Sequence, residues 1–190
     1  MIPGLLLLSA LSLSAQAMPT FVQCYDFGCK TTHEMQFTAA DWEAVRALFD
    51  EVDDADAEKQ AIREAIALME VISGRITGTH LDQGGNYPGS DIPQQMDCID
   101  ESTNTYQYLN ALEQLDLLRW HRAGIKYHRL VWFADHWTAS IREIGSERII
   151  AVDSWYLDNG ELPYLQSLDD WRRRRDFPAD LNPELAAGSD

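Results

Sequence analysis

The chain has 190 residues, with 15 basic and 31 acidic side chains and a formal net charge of −16. Such a balance repels nucleic acid and anionic membrane surfaces, so neither is an expected partner. Six Trp, seven Tyr and six Phe argue for a folded chain.

The opening residues, MIPGLLLLSALSLSAQAMPT, read as a signal peptide. Leu5 to Leu13 form an apolar core too short to span a bilayer. Ala15-Gln16-Ala17 fits the small-x-small cleavage rule, although no Lys or Arg precedes the apolar run. The expected layout is a signal peptide over 1–17, one domain over 18–175 and a loose tail over 176–190. Cleavage leaves roughly 170 residues, enough for a single core. No cysteine stands at the cleavage point, so no lipid anchor is expected there. The mature protein is expected in a periplasm or outside the cell, without stable membrane insertion.

Residues 18–37 read as irregular. They hold "CYDFGC", in which Cys24 and Cys29 are close enough to pair, with Gly28 helping the turn. That pairing leaves Cys98 as a free thiol. Cys24, Cys29 and His33 also have zinc-ligand spacing, but no fourth ligand follows and export favours the disulfide. A first helix is predicted in "TAADWEAVRALFDEV", capped by Thr38, with Trp42, Val45, Leu48 and Phe49 on one face. A second, from about Ala57 to Ser73, carries Ile62, Ala65, Ile66, Met69 and Ile72 at helical spacing.

Residues 74–96 are rich in Gly, Pro, Asn and Asp and read as a long loop. Their glycines lack a phosphate-binding pattern. Asp82, Asn86 and Asp91 offer oxygen ligands for calcium at a spacing that is not diagnostic. A third helix is predicted from about Asp97 to Gln114. Cys98, Ser102, Thr105, Leu109 and Leu112 share one face, so the cysteine heads a stripe that becomes leucine-rich.

From residue 117 the hydrophobic period becomes two. "LRWHRAGIKYHRLVWFA" alternates around a turn at Gly124. A hairpin follows, with strands at about 136–144 and 147–155 joined by Gly145-Ser146 as a two-residue turn. "SLDDWRRRR" reads as a short helix whose basic run is a solvated end. Helices followed by an antiparallel sheet indicate an α+β fold.

In a hairpin with that turn, His136 lies opposite Trp155 and Asp153 opposite Thr138. His136 and Asp153 then share a face as diagonal neighbours. A thiol must lose its proton to be a strong nucleophile. A helix N-terminus and a neighbouring histidine favour that loss, and a carboxylate on the far ring nitrogen fixes the tautomer. Cys98, His136 and Asp153 supply these roles in chain order. The backbone N–H of Cys98 and the amide of Gln94 or Gln95 are candidate oxyanion donors, each worth roughly 3–4 kcal/mol of barrier. Asp100 and Glu101, in the first helical turn, oppose thiolate formation. Asp135 adjoins His136 but points to the other face. His121 and His128 read as surface or packing residues, and His80 as a loop residue near a cleft.

At these residues the chain resembles the transglutaminase-like and papain-like cysteine peptidase superfamily. "DCIDES" is similar to the start of the catalytic helix in bacterial transglutaminase-like cysteine proteinases, and "DHWTASI…IAVDSW" to their His and Asp strands. "DSW" is similar to the Asn-Ser-Trp of papain relatives, which implies that Trp155 shields the His136–Asp153 pair. The likeness covers residues 94–156. It implies amide-bond cleavage or acyl transfer through a thioester, without a cofactor. The expected substrate is a peptide, a protein or a cell-wall amide. A secreted binding or structural domain that keeps the scaffold without turnover is the alternative.

Overall fold

The computed structural model describes residues 17–86, 93–131 and 134–174. All but the last residue of the expected signal peptide, Asp91 and the expected tail over 176–190 lie outside the described residues.

The chain opens with strands β1 (Thr20–Tyr25) and β2 (Thr31–Gln36), an antiparallel pair in which Phe21 faces Met35 and Cys24 faces Thr32. This corrects the irregular reading of 18–37. The apolar residues that anchor the pair, Phe21 and Met35, lie one per strand and too far apart in sequence to give a clear local alternation. Between the strands, Cys24 and Cys29 form a disulfide. Asp26, Phe27, Gly28 and Cys29 all take positive φ, a run that a short cross-link holds closed. His33 pairs with Gln23, one register step from Cys24, and is exposed. Cys24, Cys29 and Asp100 bring ligand-type atoms within 4.8 Å, but both sulfurs are spent in the disulfide, so the zinc alternative has no thiolates.

Helix α1 (Ala39–Ala47) starts in a capping box, Thr38 with Asp41, and buries Trp42 and Val45. Helix α2 (Ala55–Thr77) is capped by Asp54 and runs longer than the spacing predicted, to Gly78 in the left-handed conformation. Helix α3 (Cys98–Gln114) is capped by Asp97. Its Ser102, Thr105, Leu109 and Leu112 are buried as the stripe predicts.

Strands β3 (His121–Ala123) and β4 (Tyr127–Val131) both pair with one side of β5 (Ala134–Glu143). Strand β6 (Ile149–Asp153) pairs with the other side, followed by β7 (Tyr164–Ser167), which the pattern did not reveal. The fold is α+β with antiparallel sheets. The β5–β6 loop spans four residues rather than two: Glu143 pairs with Arg148, and Gly145 and Glu147 take positive φ. Because the loop is centred on Gly145-Ser146, the predicted register survives, with Ala139 opposite Val152.

The core joins Trp42, Ile62, Ile66 and Met69 of the helices to Leu109 and Leu112 of α3 and to Ala139, Ile141 and Val152 of the sheet. Among the described residues no helix is long and apolar enough to cross a membrane. Of the two expectations for His121, packing holds: it is wholly buried with its Nδ1 2.7 Å from Glu58 Oε2. Glu58 also accepts the main-chain N–H groups of Arg119 and Trp120, which ties the start of α2 to the chain entering β3.

One side chain fastens the first hairpin to α3. Buried Asn104 accepts from the Cys24 N–H at 2.7 Å and donates to the Cys24 carbonyl at 2.9 Å. Replacing Asn104 by Leu leaves two buried main-chain groups unpaired and is expected to cost about 2–4 kcal/mol of stability, read as a lower urea midpoint. A cost below about 0.5 kcal/mol would show that the hairpin is held by its apolar contacts alone.

Candidate functional site

The site is built where α3 begins. Asp97 Oδ1 accepts the N–H groups of Ile99 and Asp100, both at 3.0 Å, and Asp100 Oδ2 accepts the Asp97 N–H at 3.2 Å. The disulfide loop braces this turn from outside. Cys29 donates its N–H to Asp100 Oδ1, Asp26 donates its N–H to the Gln95 carbonyl at 3.0 Å, and Asp26 Oδ1 accepts the Gln94 N–H at 3.1 Å. The first hairpin is thus a support for the segment leading into Cys98, a role with no local signature in the sequence.

Cys98 is partly buried and unpaired. Its Sγ lies 3.8 Å from the main-chain oxygen of Asp135, and the Trp137 N–H is near enough to favour its ionised form. The sulfur therefore sits against the main chain on both sides of His136. The β5–β6 register runs only from Ala139 to Arg142 on β5, so the sulfur meets β5 at a stretch that β6 leaves unpaired. Burial is the largest cause pushing the thiol above its ordinary pKa. Asp97 and Asp153 add to the rise, and the N–H groups of Trp137 and of Cys98 itself oppose it. The helix start and these N–H groups do not outweigh burial, so the thiol is pushed up rather than down.

His136 is buried, and its Nε2 lies 2.7 Å from Asp153 Oδ2. Its Nδ1, the ring nitrogen nearer the main chain, is buried without a hydrogen-bond partner. Asp153 is 1 % exposed. Its Oδ2 also accepts the indole N–H of Trp171 at 2.8 Å, and Trp171 lies on the short helix α4 (Leu168–Arg172). Sequence reasoning placed α4 but missed Trp171, because nothing local to "SLDDWRRRR" points back to strand β6.

Aromatic rings enclose the imidazole. Trp155 stands with its centroid 4.9 Å away, Tyr156 at 5.2 Å and Trp171 at 5.7 Å. The Trp155 indole N–H donates to the Asn86 carbonyl at 3.0 Å, so the same ring holds the preceding loop. The two glutamines are placed differently from the oxyanion expectation. Gln95 is wholly buried, with its amide N–H on the Leu81 carbonyl at 2.9 Å and its oxygen accepting from Gln83 and Asn86. The side chain of Gln94 lies over Gly78. Gln95 is occupied in holding the loop. Asp135 points away from the imidazole and pairs with His128 at 3.0 Å. A groove of ≈ 760 Å³ opens elsewhere, among Lys59, Arg63, Arg148, Leu165 and Arg172, and includes none of Cys98, His136 and Asp153.

Beneath the site lies a set of buried carboxyls. Burial pushes Glu70 up to about 8, Asp82 up to about 7 and Asp100 up to about 6, and pushes Glu101 well above the usual carboxylate range. Asp82 Oδ1 accepts the Met96 N–H at 2.6 Å, and Glu70 Oε2 accepts the Gly160 N–H at 3.0 Å. Asp82 and Asn86 thus serve the loop, and Asp91, the remaining calcium candidate, lies outside the described residues.

Compared with models of protein families, with curated proteins and with solved structures, the chain gives no match.

The buried carboxyls set the pH dependence of stability. Their folded pKa values lie above the ordinary value of about 4, so the folded protein keeps protons that the unfolded chain releases. Stability is expected to be highest near pH 4 and to fall as pH rises towards 8, measured by urea unfolding across that range. Glu70→Gln, which stays neutral, should flatten the slope; an unchanged slope would show that Glu70 ionises freely in the folded state.

Proposed function

We propose that the protein is a thiol hydrolase in which Cys98 attacks a carbonyl, His136 moves the proton and Asp153 orients His136. The observation that carries this reading is the His136–Asp153 pair. One ring nitrogen is held by a buried carboxylate, while the other is buried and partnerless on the residue whose flanking main-chain groups contact the Cys98 sulfur. Asp153 holds the proton on Nε2, which leaves Nδ1 with a lone pair to act as base. Rotation of Sγ from the Asp135 carbonyl towards Nδ1 then hands the thiol proton to His136. The resulting imidazolium offsets the burial and the carboxylates that raise the thiol pKa.

The attack forms a C–S bond, and the carbonyl electrons move onto its oxygen. The main-chain N–H of Cys98, at the start of α3, is the donor assigned to that oxyanion. Collapse to a thioester expels the leaving amine with the proton from Nδ1. Water, deprotonated by the same nitrogen, then releases the acid. Trp155, Tyr156 and Trp171 keep bulk water from the His136–Asp153 bond, which strengthens it.

The proposed substrate is a peptide, protein or cell-wall amide, and the proposed relationship is to the papain-like and transglutaminase-like cysteine peptidases. Chain order Cys98, His136, Asp153 and the use of Nε2 for the carboxylate support it. Export to a periplasm or beyond is proposed from the N-terminal sequence, with support from the disulfide. A second reading, a secreted binding domain without turnover, draws on one observation: Cys98 Sγ bonds the Asp135 carbonyl, and Nδ1 accepts no hydrogen bond.

Iodoacetamide labelling separates the two. Cys98 of the unmodified protein is expected to alkylate at pH 6 at least about tenfold faster than in His136→Ala, because only an imidazolium partner sustains a thiolate there. Equal rates would leave the binding-domain reading. Against an amide substrate, Cys98→Ala and His136→Ala should abolish turnover, and Asp153→Asn should lower kcat by about 10⁴ while the folded far-UV spectrum is kept. Retained activity in Cys98→Ala would remove the thiol from the reaction.

A further inference from the structure

We propose that Trp171 is a positioning residue of this site, the group that aims Asp153 at His136 and thereby sets the imidazole tautomer. The inference rests on the Cys98–His136–Asp153 reading and adds a fourth residue to it. Two donors converge on one atom: His136 Nε2 at 2.7 Å and Trp171 Nε1 at 2.8 Å from Asp153 Oδ2. A carboxylate at the end of a strand turns readily about its terminal torsion. With a single donor, either oxygen can face the ring at any angle. With the second donor fixed, Oδ2 has one direction in which both bonds are made.

Trp171 is itself immobilised. It is wholly buried against Ala151 and Leu168, with Tyr127 and Ile149 alongside. The Arg129 guanidinium stacks on its ring at 4.3 Å, donates to the Trp171 carbonyl and reaches the Tyr156 hydroxyl at 2.8 Å. Arg129 is also the cross-strand partner of His136. The ring of contacts therefore closes on itself: His136, Asp153, Trp171, Arg129, Tyr156 and back to His136. It joins β4, β5, β6, the turn after β6 and α4, so the orientation of the base is fixed by the last described helix of the chain.

The chemical consequence lies in the tautomer. Neutral imidazole carries one proton, and only the Nε2–H form leaves Nδ1 able to take a proton from sulfur. The neutral indole N–H adds no charge and cannot exchange roles with His136. It holds Oδ2 on the Nε2 side, so the Nε2–H form is favoured before substrate arrives. Trp171→Phe keeps an aromatic ring in place against Arg129 and removes the N–H donor together with the pyrrole part of the indole.

The test is long-range ¹H–¹⁵N NMR of the five histidine rings in the full chain, with His136 assigned by its absence in His136→Gln. The unmodified protein is expected to hold neutral His136 in the Nε2–H form, and Trp171→Phe to shift the tautomer ratio by about tenfold towards Nδ1–H. An unchanged ratio in a folded Trp171→Phe protein overturns the proposal. Should that variant not fold, the unmodified protein decides. Its Trp171 indole signal is expected to move with the same pH midpoint as the His136 ring, and an indole signal blind to that titration overturns the proposal. The hydrolase reading fails separately: His136-independent alkylation of Cys98 would remove the reaction, while the tautomer would still report what Trp171 does.

Discussion

Ala139 faces Val152 and Ile141 faces Ile150 in the β5–β6 ladder, and this register decides which side chains meet on each side of the sheet. Ala139, Ile141 and Val152 turn to the core and pack under α3. His136 and Asp153 fall on the opposite face, where Trp171 covers them. A slip of one residue would send Asp153 to the core face and His136 to a neighbour without a carboxylate. The apolar side chains of the core therefore specify the polar pair as well, because both are read from one alternation.

The protein places a buried imidazole and a partly buried thiol inside a strongly acidic chain. Asp97 and Asp153 raise the thiol pKa, and the carboxyls of Glu70, Asp82 and Glu101 beneath are pushed towards their neutral forms by burial. A neutral carboxyl carries no net charge, so protonation of this layer limits the negative potential at the site. In the proposed reaction the charge that counts is the one created on His136 as the thiol proton moves, and Asp153 is the carboxyl in direct contact with it. Stability and reactivity are coupled here through the same low-dielectric region.

The N-terminal hairpin gives Cys98 its footing. Asp26 and Cys29, in the disulfide loop, bond to Gln94, Gln95 and Asp100, which surround the start of α3. Asn104 ties the same hairpin one and a half turns further along the helix. Helix α4 does the corresponding work for His136 through Trp171. The two ends of the described chain thus hold the two halves of one site, while the long helix α2 fills the core behind them.

The sequence by itself determined the features that depend on neighbours within about four residues or on one tight loop. These are the three long helices, the Thr38 cap, the face shared by Ser102, Thr105, Leu109 and Leu112, and the pairing of Cys24 with Cys29. The β5–β6 register belongs with them, because a loop centred on Gly145-Ser146 gives the same pairing whether it holds two residues or four. What only the tertiary structure decided are contacts between segments far apart in the chain: β1 with β2 against α3, β7 beside β6, Glu58 on His121, Gln95 buried in its loop, and Trp171 on Asp153. Periodicity records that a side chain must be buried, but not which distant group it meets. That choice is made by packing, where each burial is settled jointly with all the others.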